Sequence, residues 1–336
     1  MKKRIGIVLF QLGGPDTLDA VRPFLYNLFC DPDIIPLGPL GGVFRKPLAW
    51  WIARRRSGYV GHHYAEIGGG SPIRLLTVRQ ARALATALSP HVDPTIAIAM
   101  RYWHPLTEEA AALIRSAPLD ELVLLPLYPQ YSIATTGSSL KEWSRWYQPE
   151  RPPLPLHVVE NFHNHPRYID AVCDRIALSL THFDRPSAAH LVFSAHGLPM
   201  SLIEQGDPYQ RQVEATTRLV MKRAFARGFA SNPHTLCYQS KVGRQKWLEP
   251  SLTATLERLA RAGTPHILVV PIAFVTEHIE TLHEINIEAR EEVMRLGVEQ
   301  FEMTAALGDS PRFISALADL VLHSLGIESA RPASAP

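Results

Sequence analysis

Three glutamates lie four residues apart near the end of the chain: Glu280, Glu284 and Glu288. On a helix this spacing places them on one face, where like charges repel by roughly 0.2–0.5 kcal/mol per pair. A solvated acidic face is the ordinary explanation. This stretch, however, follows a predicted strand, where α/β proteins place their sites, and it also contains His278 and His283. Carboxylates beside imidazoles suit a divalent metal of intermediate hardness or the transfer of protons.

A second candidate, His196, follows another predicted strand and lies between Ala195 and Gly197. A single histidine at a strand end is more often structural than functional. In combination with the acidic helix, we predict that it is functional, and that its small neighbours let a ligand approach closely. A neutral imidazole can both bind a metal and accept a proton near neutral pH.

Familiar catalytic motifs are missing from the sequence. His283-Glu284 is not followed three residues later by a histidine, so the zincin pattern is absent, as are the nucleophile elbow, Walker A and G-x-G-x-x-G motifs. The glycine-rich stretch Gly68-Gly69-Gly70-Ser71 has no Walker lysine. Its backbone N–H groups are instead suited to holding a carboxylate ahead of a helix predicted at 74–88.

The composition excludes several classes of protein. The 336 residues carry 34 Lys and Arg against 32 Asp and Glu, and this near-neutral balance argues against a nucleic-acid partner. The cysteines (Cys30, Cys173 and Cys237) are far apart, so we expect no disulfide scaffold and a reducing, cytoplasmic setting. No apolar run is long enough to span a bilayer, and the basic N-terminus reads as the start of a buried strand rather than a signal peptide.

Alternating apolar and amphipathic runs predict an α/β fold with parallel sheets. Strands are predicted at residues 5–10, 95–100, 121–127, 156–160, 190–194, 235–239 and 266–273. Helices are predicted at 16–29, 74–88, 107–116, 138–147, 167–181, 209–228, 250–262, 276–296 and 310–325.

The length and the proline-rich segment near 148–153 predict two α/β domains, each built on its own parallel sheet. The first spans 1–150 and includes a flap at about 37–70, and the second spans 151–305. A terminal helix at 306–326 is expected to pack back on the first domain, with a flexible tail at 327–336.

The stretch 37–59 combines Trp50 and Trp51 with the basic run Arg54-Arg55-Arg56. It fits a flap over a flat, apolar, anionic ligand, or an interfacial patch on anionic lipid. An ordinary amphipathic connector is the third possibility.

Several short motifs follow one another in a fixed order from about residue 5 to residue 325. They are Leu12-Gly13-Gly14-Pro15, Gly68 to Ile73, Met100 to Pro105, Leu125 to Ser132 with Thr135 to Ser139, Ser194 to Pro199, Tyr238 to Gly243, Trp247-Leu248-x-Pro250 and Glu277 to Glu284. In this order they resemble the ferrochelatase family.

The resemblance implies two Rossmann-like halves with a porphyrin cleft between them. It also implies a lyase that inserts Fe²⁺ into protoporphyrin IX, releasing two protons and forming protohaem in the last step of haem biosynthesis. Fe²⁺ is then a substrate, and no tightly bound cofactor is expected.

Residue by residue, the resemblance implies that His196 and Glu280 are catalytic and that His196, Glu280, Glu284 and Glu288 meet the metal, the glutamates along a π-like helix. Porphyrin-binding positions are implied for Leu12, Arg56, Tyr64, Ser71, Arg101, Tyr102, Ser132, Trp247 and His278. We expect His196 and Glu280 to face each other across the macrocycle, with His196 accepting protons and Glu280 delivering iron. The opposite assignment stays open.

Two departures from the family pattern matter. Gln11 stands where relatives usually carry Asn, which keeps the amide. Ile133 stands where animal enzymes with a [2Fe–2S] cluster carry Cys, and their Cys-rich C-terminal extension is missing, so no cluster is expected.

Other functions also fit the pattern. They are a coproporphyrin ferrochelatase, another tetrapyrrole metal chelatase, and a non-catalytic tetrapyrrole or metal carrier. A carrier has no need of both a base and a metal-facing carboxylate. We expect a cytoplasmic protein with possible peripheral membrane contact, and the sequence leaves its oligomeric state open.

Overall fold

The computed structural model describes residues 1–32, 34, 35, 37, 41–148, 153–241 and 245–328. The predicted domain break at 148–153 and the predicted tail at 327–336 fall mostly outside these ranges. So do residues 38–40 of the predicted flap.

Two four-stranded parallel sheets organise the described residues. In the first, the strand order is β2-β1-β3-β4, with β1 Arg4–Gln11, β2 Asp93–Met100, β3 Glu121–Pro126 and β4 Leu156–Val158. In the second it is β6-β5-β7-β8, with β5 His190–His196, β6 His234–Gln239, β7 His266–Pro271 and β8 Gln300–Met303. The central strands are buried on both faces, which is why they read as continuous apolar runs. The predicted α/β class with two similar halves is confirmed.

Helices cover both sheets. They are α1 Val21–Phe29, α2 Gly41–Glu66, α3 Ile73–Leu88, α4 Thr107–Ser116, α5 Ser138–Trp146, α6 Pro166–Leu180, α7 Met200–Glu204, α8 Tyr209–Ala224, α9 Leu252–Arg261, α10 Arg290–Arg295 and α11 Pro311–Ser324. Two segments are π-helical, Ile133–Gly137 and Glu280–Ala289. Within the described residues, no helix is both long and apolar enough to cross a bilayer.

Three of these elements were not predicted as regular structure: α2, β8 and the five-residue helix α7. The 26-residue helix α2 buries few side chains and contains Pro47, so it has no helical apolar period to detect. Strand β8 has four residues, of which only Phe301 is buried, and this is too short for a clear apolar run. The predicted helix at 276–296 is instead a π-helix followed by α10.

The strand order fixes where a site can lie. In each sheet the second strand lies on one side of the first and the third strand on the other, so the order of strands reverses between β1 and β3 and between β5 and β7. Ligands in open α/β sheets bind beyond the carboxyl ends of strands at such a point. Gln11 and His196 are the last residues of β1 and β5, so each stands at this position in its own half.

The terminal helix joins the halves. Helix α11 packs against both α3 and α6. Just before it, Asp309 pairs with Arg79 of α3 at 3.0 Å, and the carbonyl of Gly308 accepts a hydrogen bond from Gln80 Nε2 at 2.9 Å.

Candidate active site

The centre of the site is a direct contact between His196 and Glu280. His196 ends β5, and Glu280 begins the π-helix that follows the neighbouring strand β7. Because β5 and β7 are parallel, both residues lie at the same edge of the second sheet. His196 Nδ1 lies 2.8 Å from Glu280 Oε2, and the two side chains are 35% and 21% exposed.

This contact changes the acid–base chemistry of both groups. Burial pulls the pKa of His196 down, but the charge and hydrogen bond of Glu280 outweigh it, so the net pKa is raised above its ordinary value. Burial pushes the pKa of Glu280 up, but His196 more than offsets this and holds it well below the usual range. Glu280 therefore stays ionised, and it makes His196 a stronger base.

A macrocycle between His196 and Glu280, as expected from the resemblance, would require these two side chains to separate. Their contact atoms are 2.8 Å apart, which is hydrogen-bond distance and leaves no room for an aromatic ring. The two side chains form one hydrogen-bonded pair at the edge of the second sheet.

Ser240 directly follows β6 and contacts this pair; it lies in the motif Tyr238 to Gly243 but was not predicted as a site residue. Its N–H donates to Glu284 Oε1 at 2.8 Å. Its hydroxyl oxygen lies 2.5 Å from Glu284 Oε2 and 3.3 Å from Glu280 Oε2. Ser240 has a φ of 65°, which is unusual for a residue other than glycine and holds both donors toward the carboxylates. Burial and the charge of Glu280 raise the pKa of Glu284.

Gly197 is required by packing rather than by ligand access. A Cβ atom there would lie 2.8 Å from the Gln239 carbonyl oxygen and 3.3 Å from the Trp247 ring. The small neighbour of His196 therefore makes room for Gln239 and Trp247, a packing requirement that the sequence did not indicate.

Glu288 departs from the line formed by Glu280 and Glu284. Its carboxylate lies 3.6 Å from His283 Nδ1 and is about half exposed, while Glu280 and Glu284 converge on Ser240. The three glutamates are evenly spaced in the sequence, but their surroundings in the structure differ.

Residues of the first half reach this site. Gln11 Nε2 donates to Thr276 Oγ1 at 3.0 Å across the two halves. Burial, and the nearby charge of Glu280, raise the pKa of Tyr64 on α2. Leu12 and Ile279, from opposite halves, pack against the same apolar cluster as Tyr64.

Arg101 and Tyr102, at the end of β2, are tied to one buried carboxylate. Asp31 Oδ2 accepts from Arg101 Nη2 at 2.6 Å and from the Tyr102 hydroxyl at 2.7 Å. Arg101 Nε also donates to Ser138 at 3.1 Å. The side chain of Asp31 is 1% exposed, so this is a buried charge pair.

Replacing Asp31 with asparagine should lower the free energy of unfolding by about 3 kcal/mol, since breaking one side of a buried pair leaves the other charge uncompensated. Urea unfolding measures the change. The control is Asp120→Asn, whose partner Arg4 is exposed, and its effect should be far smaller. Equal losses in the two variants would contradict the assignment.

The remaining predicted porphyrin residues have varied surroundings. Ser71 is buried beside Gly14, and Ser132 caps the first π-helical segment and donates to Asp207 at 2.8 Å. His278 is buried against Phe274, and burial lowers its pKa. Arg56 is exposed, with its guanidinium over the Phe29 ring.

Solved structures with this fold exist. SirB from Bacillus subtilis, solved with Fe³⁺, matches with a TM-score of 0.57 at 12% identity, covering 96% of this chain and 95% of that one. CbiX, described as the terminal enzyme for siroheme biosynthesis in denitrifying bacteria, matches with a TM-score of 0.50 at 13% identity, covering 96% and 99%. At these identities the likeness concerns the fold. The fold and the site together define a chelatase-like α/β protein.

The sequence comparisons are more specific. The Ferrochelatase family model matches residues 4–325. The ferrochelatase of Parasynechococcus marenigrum (strain WH8102) is 49% identical over 326 residues, which are 96% of this chain and 83% of that protein. The chain belongs to the ferrochelatase family, the lyases that insert Fe²⁺ into a porphyrin to form protohaem.

Proposed function

We propose that this chain inserts Fe²⁺ into protoporphyrin IX and that His196 and Glu280 do so as a pair on one side of the ring. The observation that carries the proposal is their 2.8 Å contact at the edge of the second sheet. Insertion replaces two pyrrole N–H bonds with iron–nitrogen bonds and releases two protons, so it requires a base and a route for the cation.

His196 supplies the base. Its Nδ1 is engaged by the Glu280 carboxylate, which leaves Nε2 to accept a proton from a pyrrole. A carboxylate that holds one imidazole nitrogen fixes the tautomer and stabilises the imidazolium that forms, as in hydrolase triads. The proton accepted at Nε2 can then pass to solvent, because the side chain is 35% exposed.

Glu280 has a second oxygen for the metal. Its Oε2 takes His196 and Ser240, so Oε1 is the atom we assign to incoming Fe²⁺. Glu284 lies behind it on the shared Ser240, and Glu288 follows one turn farther along the π-helix. Carboxylate oxygens bind Fe²⁺ and release it readily enough to pass it on.

The first half binds the ring. Leu12, Tyr64 and Tyr102 contribute to one apolar cluster beside Glu280, and we assign the macrocycle to that side. The ring propionates are assigned to Arg56, which is exposed and cationic, and to the loop of Ser71 ahead of α3.

The test is an anaerobic insertion assay with Fe²⁺ and either protoporphyrin IX or coproporphyrin III. Because α2 exposes Val43, Phe44, Trp50 and Trp51, we expect a higher kcat/KM with the more apolar protoporphyrin IX. Preference for coproporphyrin would overturn the substrate assignment. Tight porphyrin binding without metal insertion would instead indicate a carrier.

The same reaction needs no iron–sulfur cluster. A [2Fe–2S] cluster takes four protein ligands, usually cysteines, whereas the chain has three cysteines, and Cys173 and Cys237 are fully buried. Burial raises the pKa of both thiols to about 12, so neither is a ready thiolate. We expect purified protein to contain no acid-labile sulfide, and stoichiometric sulfide would contradict this. Free buried thiols also suit the cytoplasm.

Helix α2 has the features of an interfacial helix. Phe44, Trp50 and Trp51 are each about half exposed, and the guanidinium groups of Arg54 and Arg55 lie over the Trp50 and Trp51 rings. Apolar rings beside cations bind anionic lipid surfaces through both area and charge. We therefore assign peripheral membrane contact to this face.

The double variant Trp50→Ser, Trp51→Ser should bind anionic liposomes at least several-fold more weakly, with unchanged stability, as measured by co-sedimentation. The control is Phe225→Ser, which removes a more exposed ring from the other half. Binding that is equally weak in the control, or unchanged in the double variant, would contradict the assignment.

A further inference from the structure

A cluster of imidazoles and carboxylates lies between α2 and the π-helix, outside the His196–Glu280 pair. His63 comes from α2, and His283 and Glu288 come from the π-helix. One ligand atom from each lies within 4.8 Å of the others. The cluster spans both halves of the molecule.

Glu66 orients this cluster. It accepts a hydrogen bond from His283 Nε2 at 2.6 Å, which leaves Nδ1 of the same ring facing Glu288 at 3.6 Å. Metal-binding histidines commonly donate their other ring N–H to a carboxylate in this way, which fixes the tautomer and raises the basicity of the ligand nitrogen. His283 is therefore prepared to use Nδ1 as a ligand.

We propose that His63, His283 and Glu288 bind a divalent transition metal, with Glu66 as the positioning residue. Two imidazoles and a carboxylate suit Fe²⁺, Co²⁺ or Zn²⁺ better than Mg²⁺ or Ca²⁺, which prefer an all-oxygen set.

One side chain must move on binding. The rings of His63 and His283 are stacked, with centroids 4.0 Å apart and planes 16° from parallel. A metal with bonds of about 2.1 Å needs convergent nitrogen atoms. His63 is only partly buried, so it can turn about its Cβ–Cγ bond and bring a nitrogen to the ion.

The location gives the site a role. Hydrogen bonds in a π-helix link residues five apart, so Glu288 lies one turn from His283, and it is four residues from Glu284. Glu288 and Glu66 are partly exposed, while Glu284 belongs to the inner group around Ser240. Resting on the proposed function, we assign the cluster as the station where Fe²⁺ first binds before it passes inward.

Metal binding is measured with Co²⁺ and porphyrin-free protein, by visible absorption and equilibrium dialysis. The background is Glu280→Gln, which weakens the inner site. In this background we expect one Co²⁺ per chain with a d–d spectrum typical of nitrogen and oxygen ligands. His63→Gln and Glu288→Gln should each weaken it at least tenfold, and Glu66→Gln by about 10- to 100-fold.

His91→Gln is the control, since His91 is an exposed histidine of the first half that does not belong to the cluster. It should leave Co²⁺ affinity unchanged. The proposal is overturned if His63→Gln and Glu288→Gln bind Co²⁺ as tightly as the background, or if His91→Gln weakens binding equally. Because His283 is deeply buried, replacing it would also affect folding. The test therefore substitutes His63 and Glu288, which are more exposed.

The role is tested separately by steady-state insertion with limiting Fe²⁺. In otherwise wild-type protein, His63→Gln should raise the KM for Fe²⁺ about tenfold or more, well beyond any fall in kcat, and His91→Gln should not. An unchanged KM would overturn the staging role. If His63→Gln loses Co²⁺ binding as expected but even the wild-type protein inserts no iron, the metal site stands and the proposed function is disproved.

Discussion

Replacing His196 with alanine should lower kcat for iron insertion by about 10²- to 10⁴-fold, the range that a positioned general base contributes. The variant has no imidazole to accept the pyrrole proton, and we expect the fold of β5 to be unaffected. A continuous assay of haem formation under anaerobic conditions measures the loss.

The matched control is His190→Gln, at the other end of the same strand. His190 hydrogen-bonds Thr235 at 2.9 Å, far along β5 from Glu280, so its replacement should leave kcat within about twofold. Near-normal turnover in His196→Ala would exclude His196 as the base, and porphyrin binding by the variant would show that the pocket persists.

Replacing Glu280 with glutamine should lower kcat by about 10²-fold or more, because the amide keeps the shape but loses the charge that stabilises the imidazolium. The same change should lower the pKa of His196, since the Glu280 charge is what raises it against burial. An NMR titration of the metal-free protein reads this pKa directly.

The raised pKa of His196 determines the direction in which activity changes with pH. Protonated His196 cannot accept a proton, so wild-type activity should fall as pH drops through its raised pKa. The residual activity of Glu280→Gln should persist to lower pH. Glu291→Gln, an exposed glutamate on α10 paired with Arg295, is the control and should change neither kcat nor the His196 pKa. A His196 pKa that rises in Glu280→Gln would contradict the pairing.

The sequence was most informative at strand ends. His196 and Glu280 could be selected because each follows a continuous apolar run, and parallel strands bring their carboxyl ends to one edge. The contact between the two side chains, on which the proposed placement on one side of the ring rests, depends on the register of β5 and β7. That register is not visible in either segment alone.

Other parts of the site left no local signal. Ser240 matters because of its backbone conformation, and a serine with positive φ looks like any other serine in sequence. His63 and Glu66 lie on α2, which has no apolar period to mark it as a helix that reaches the other half. Glu288 turns toward His283 because the helix is π-helical, which shifts the neighbour from four to five residues along.

The identical strand order of the two sheets places Gln11 and His196 at equivalent ends of β1 and β5. An amide occupies one of these positions and an imidazole the other. Gln11 donates a hydrogen bond to Thr276, four residues before Glu280, whereas His196 contacts the ionised Glu280 carboxylate itself. The two halves thus share a strand order but carry different groups at these matched strand ends, so under the proposed function the second half supplies the base and the first half holds the ring.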